Sequence, residues 1–86
     1  MEDKILSSAY EYLENEAAGA DINRLLELFA MNSNLWSVAV DGDNERECKR
    51  LCAIVEGLEH MITNHVMREH GYYQTDTTGY SRWEKE

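Results

Sequence analysis

Residues 44–70 read NERECKRLCAIVEGLEHMITNHVMREH, and the fold turns on how this stretch is read. Cys48, Leu51, Val55, Leu58, Ile62 and His65/Val66 alternate spacings of three and four, the pattern of a helix packed lengthwise against another. Cys52, Ile54 and Met61 flank that seam. Asp43 or Asn44 supplies a start, and Gly71 a C-terminal residue that tolerates the left-handed conformation. The spacing predicts one helix over residues 43–70. Gly57 costs about 1 kcal/mol relative to alanine inside a helix, and its presence predicts a close helix approach at that point.

Upstream, Asp41-Gly42-Asp43 is a turn signal. Before it lies a second helical stretch, residues 21–40, with Asp21 as N-cap. One apolar stripe runs Ile22, Leu25, Leu26, Phe29, Trp36, Ala39, Val40, and another runs Leu28, Met31, Leu35, Val38. Together they are broader than one core-facing stripe, so this helix has two faces to bury. The polar run Asn32-Ser33-Asn34 falls inside it, and the helix is expected to continue through. The short turn makes the two helices an antiparallel hairpin. The longer reaches about 40 Å and the shorter about 29 Å, so Val66 and Met67 overhang unless something covers them.

Residues 3–18 form a shorter predicted helix, with Leu6, Ala9, Tyr10, Leu13 and Ala17 at helical spacing, Ile5 and Tyr12 beside them, and Gly19 closing it. These readings define an all-α fold, a helical domain over residues 1–71. Its unpaired faces point to a helical-bundle homodimer, with a compact three-helix monomer as the alternative. Leu25, Phe29, Trp36, Leu51, Val55, Leu58 and Ile62 are the candidate core and dimer residues. Residues 72–86 have no helical periodicity. Their polar composition suggests a disordered tail, while Tyr72, Tyr73, Tyr80 and Trp83 suggest docking on the helices or a recognition segment.

Composition narrows function. The 86 residues carry 8 Lys+Arg against 17 Asp+Glu, a net charge of −9. Such a chain repels phosphate backbones, and the one local basic cluster is Arg46, Lys49, Arg50, so direct nucleic-acid binding is not expected. No run approaches the roughly 20 apolar residues of a membrane span. The start, Met1-Glu2-Asp3-Lys4, lacks a signal-peptide pattern. Cys48 and Cys52 make no disulfide scaffold, and the expected setting is a reducing cytoplasm.

The chemistry-bearing residues do not assemble in sequence into a catalytic motif. His60, His65 and His70 are spaced by five, about 140° apart around a helix. Glu56/His60 and His65/Glu69 share faces at i,i+4, but offer two ligands each where a structural zinc wants four. Cys48-x3-Cys52 reads as a pair of small apolar residues on the seam. Glu11-x-x-Glu14 and Glu56-x-x-Glu59 could hold Mg²⁺ through carboxylates. This pattern is similar in kind to the acidic helical motifs of the all-α nucleotide pyrophosphohydrolases, whose pairs lie closer together and are joined by further acids and a lysine. No phosphate loop, nucleophile elbow or H-E-x-x-H is present. No catalytic residue, metal ligand or cofactor is expected.

What remains is charge asymmetry. Residues 1–43 hold nine acids against two bases, a balance of −7, whereas residues 44–86 stand at −2. The first helix thus carries an acidic face with tyrosines among its charges. The leading expectation is a non-enzymatic protein that binds, and inhibits or regulates, another protein, one with a basic surface. In size, acidity and helical build the chain resembles the small accessory proteins of phages and mobile elements. Candidate partner-binding residues are Tyr10, Glu11, Tyr12, Glu14 and Glu16, with Leu28, Met31 and Leu35 on the second face of residues 21–40. The alternatives are an acidic nucleic-acid mimic that blocks a DNA- or RNA-binding groove, and a metal-dependent nucleotide hydrolase using the E-x-x-E pairs.

Overall fold

Gly57 marks the place where the N-terminal segment closes on the longest helix. In the computed structural model, a Cβ built on Gly57 would collide with Leu13 Cδ1, so only glycine lets Leu13 lie there undisturbed. The structure describes the backbone of residues 2–77 and 80–85, and the side chains of residues 4–73 and 83–85. Its elements are α1 (Glu2–Tyr12) continuing into a π-helical turn (Leu13–Ala17), α2 (Ile22–Asp41), α3 (Glu45–Glu69), β1 (Tyr72–Thr77) and β2 (Tyr80–Lys85). The chain is mainly helical, as its periodicity predicts.

The helix ends obey capping chemistry. Asp21 accepts a hydrogen bond from the Arg24 amide at 2.8 Å and Asn44 from the Glu47 amide at 3.3 Å, each satisfying an orphan donor of the first turn. Gly19 and Gly71 take positive φ values of 77° and 83°, as expected of residues that follow a helix. The turn between α2 and α3 is closed by the Gly42 amide on the Val38 carbonyl and the Asn44 amide on the Ala39 carbonyl, both at 3.0 Å.

The first helix departs from the regular α form expected over residues 3–18. Its last turn is π, with the Ala18 amide bonded to the Leu13 carbonyl at 3.0 Å. Ala9, Leu13 and Ala17 are all buried. A spacing of four drifts by about 40° per step around a regular helix. The wider turn takes that drift back and keeps these residues on one face.

Around this seam lies a core of Ala9, Leu13, Ala17, Leu25, Leu28, Ala39, Leu51, Ile54 and Leu58. Of the seven residues expected there, Leu25, Leu51 and Leu58 are buried, and Phe29, Val55 and Ile62 are half-buried. Trp36 lies outside the core of the single chain, 41% exposed. The inward arc of α2 runs Leu25, Leu28, Asn32, Ala39, with a polar residue near its centre, which turns Trp36 toward the flank. Ile54, expected beside the seam, is fully buried because α3 is covered by α2 on one side and by α1 on the other.

The tail is a correction. Instead of a disordered segment, β1 and β2 form an antiparallel pair with Tyr72 opposite Lys85, Tyr73 opposite Glu84 and Gln74 opposite Trp83. Tyrosine, threonine and tryptophan favour a pleated strand. Tyr73 Oη donates to Glu84 Oε2 at 3.0 Å, and Lys85 Nζ lies 5.7 Å from the centroid of the Tyr72 ring. β1 rests against α3. Thr78, Gly79 and Glu86, and the side chain of Tyr80, lie outside the described residues.

Candidate binding surface

Helix α1 presents the predicted acidic face. Tyr10 is 61% exposed, and Glu11, Glu14 and Glu16 are exposed. Glu16 is tied to Arg24 at 3.6 Å, and Arg24 in turn holds Glu27 at 2.8 Å. Glu11 and Glu14 add two further exposed negative charges to this face. Tyr12 is half-buried. Its hydroxyl accepts a hydrogen bond from Asn32 Nδ2 at 3.2 Å, which fixes α1 against the middle of α2.

Next to Asn32 the apolar flank of α2 comes to the surface: Met31 is 46% and Leu35 48% exposed. Leu28, expected to share that flank, is fully buried. It lies one turn before Asn32 on the inward arc, and its carbonyl accepts a second hydrogen bond from Asn32 Nδ2 at 2.8 Å. Leu28 is therefore core, and Tyr12 offers only part of its ring.

The sequence reading missed a second surface. Ile5 and Leu6 of α1, Trp36 of α2, and Cys48, Cys52 and Ala53 of α3 line a mainly apolar hollow of 490 Å³, with Lys49 and Glu56 on its rim. A neighbouring hollow of 370 Å³ shares Trp36, Cys52 and Glu56 and extends to Val55. The pattern showed Trp36 and Leu6 as apolar positions, but their meeting over α3 requires three helices already in place.

The titratable residues are dispersed. Among the described residues, no three His, Cys, Asp or Glu side chains converge as metal ligands would. Glu11, Glu14, Glu56 and Glu59 are all exposed, and His65 Nε2 pairs with Glu69 Oε1 at 3.1 Å. Cys52 Sγ donates to Glu56 Oε1 at 3.7 Å. Partial burial pushes the Cys52 thiol up from its ordinary value, and the adjacent Glu56 charge and hydrogen bond add to this. Since the thiolate is the nucleophile, Cys52 is expected to react with iodoacetamide at pH 8 more slowly than a free thiol. Glu56→Gln removes the charge, so it should lower the pKa and speed the reaction. Equal rates in the two proteins would show that Glu56 does not control this thiol.

No helix among the described residues is long and apolar enough to cross a membrane. No protein-family model matches the chain, and neither a curated protein nor a solved structure matches it significantly.

Proposed function

We propose that this chain acts without catalysis, by binding another protein and regulating or inhibiting it. The observation that carries this reading is the pair of exposed surfaces on neighbouring helices, the acidic face of Tyr10, Glu11 and Glu14 on α1 and the apolar flank of Met31 and Leu35 on α2, the two helices being tied by the Tyr12–Asn32 hydrogen bond. An apolar centre with a charged border has the anatomy of a protein interface. Acid at the border selects a partner with a basic rim and speeds the encounter. In this reading α2 and α3 form an antiparallel hairpin, α1 lays the recognition surface across it, and the protein works in the cytoplasm.

The acid surplus of the first half also favours a second reading, in which the target's basic rim is a nucleic-acid groove and the chain is its mimic. The test uses three baits in lysate of the cells that produce the protein: wild type, Glu11→Lys/Glu14→Lys, and Met31→Glu/Leu35→Glu. All the replaced residues are exposed, so the fold is expected to survive, with circular dichroism as the check. A target is expected on the wild-type bait and on neither variant. Its binding should weaken with salt, since exposed charges are screened beyond about 8–10 Å at 0.1–0.15 M. A captured set identical on all three baits would refute this surface. DNA or RNA displacing the chain from the target would decide for the mimic, and simultaneous binding of all three would exclude it.

A further inference from the structure

The chain exposes more surface than a compact protein of its mass. Its accessible area is 6456 Å², against about 5,200 Å² for a folded 10.0 kDa monomer. Its radius of gyration is 14.5 Å, against about 12 Å for a compact domain of 86 residues. The excess of about 1,200 Å² exceeds the ~800 Å² per partner that a standard stable interface removes.

One apolar part of this exposed surface lies around Trp36. Trp36 stands 41% exposed on the margin of the 490 Å³ hollow lined by Leu6 and Cys52, and the same residue borders the 370 Å³ hollow that ends at Val55. A large aromatic beside an apolar depression supplies both halves of a self-complementary contact. Under a two-fold axis, the knob of each chain enters the depression of the other. The surface shares no residue with the acidic face of α1.

We infer that a second copy of this chain covers the groove around Trp36, forming a two-fold dimer with Trp36 as its central anchor, so that the assembled protein presents two acidic target-binding faces. Aromatic anchors in the middle of an interface carry most of its binding energy. Introducing a charge at one such residue should therefore dissociate the dimer.

Sedimentation equilibrium of the full chain tests this. The wild type is expected at twice 10.0 kDa at 100 µM, and Trp36→Glu and Leu6→Glu at 10.0 kDa with helical circular dichroism retained. Glu11→Lys/Glu14→Lys should stay dimeric, so loss of the target surface and loss of the dimer are separable. Cys52 gives a second readout: iodoacetamide should modify it about tenfold more slowly in concentrated wild type than in the same protein diluted until the dimer dissociates, because mass action keeps the groove covered. A wild-type mass of 10.0 kDa at 100 µM would overturn the inference. So would a dimer that survives both groove variants, and if Met31→Glu then dissociates it, the interface lies on the other flank of α2.

Discussion

Leu58→Ala is expected to cost about 3–5 kcal/mol of unfolding free energy, and Leu28→Ala a similar amount. Both side chains, with Ile54, are fully buried. Truncation removes their transfer energy and leaves a cavity that the surrounding helices close only in part. An 86-residue domain has a total stability of about 4–13 kcal/mol. Either change therefore takes a large share of it and should lower the urea midpoint strongly at unchanged slope. The comparison with Leu35→Ala gives the result its force. Leu35 is 48% exposed on the same helix, so its truncation should stay within about 1 kcal/mol. The pattern of apolar residues alone puts Leu28 and Leu35 on one outward stripe, and the packed structure separates them. Equal costs at the two positions would mean that α2 is rotated from the orientation described.

The core draws on an arc of α2 that takes Leu25 and Ala39 from one predicted stripe, Leu28 from the other, and Asn32 from neither. The residues of α2 and α3 announce their own boundaries: Asp21 and Asn44 cap through side-chain oxygens, and Gly71 ends α3, all by local chemistry. Helix orientation is a different matter. Apolar residues surround so much of α2 that the reading from sequence took the stripe through Trp36 for the core and gave the stripe through Leu28 to the second face. The deciding residue is Asn32, a polar side chain that a hydrophobic pattern assigns to solvent. The tail was missed for a related reason. Two facing strands stabilise each other through pairs such as Tyr73 with Glu84, which a reading of each strand alone does not register.

The candidate surface divides along the same line. Glu11, Glu14 and Tyr10 are exposed because they lie off the Ala9/Leu13/Ala17 seam, so the acidic face could be read from one helix. The Trp36 groove is built from α1, α2 and α3 together, and no single periodicity contains it. Cys52 divides between the two: its hydrogen bond to Glu56 lies at i,i+4 within α3, while the partial burial that does most to raise its pKa depends on the packed helices.

Asn32→Asp should produce the most pH-dependent loss of stability. Asn32 is 2% exposed, and its amide nitrogen donates to the Leu28 carbonyl at 2.8 Å and to the Tyr12 hydroxyl at 3.2 Å. A carboxylate has the same shape and no donor. It would face the Leu28 carbonyl with like partial charge, and only a reoriented Tyr12 hydroxyl could satisfy it. An uncompensated charge buried in this way costs about 3–5 kcal/mol. The folded protein would instead hold the new group protonated, with its pKa raised by up to about 3–5 units from the ordinary value near 3.9. The folded state then binds more protons than the unfolded one between about pH 4 and the raised pKa, so stability falls as pH climbs through that window. Near pH 4 the neutral acid can donate to the Leu28 carbonyl in place of the amide, and the loss should be small. It should grow steadily toward pH 8. Urea midpoints of wild type and variant at pH 4.5, 6 and 8 measure the gap directly. Asn34→Asp, two residues along on the exposed side of α2, should open no such gap. A gap for Asn32→Asp that stays constant with pH would place Asn32 in contact with water, and with it would go the hydrogen bond that seats α1 on α2.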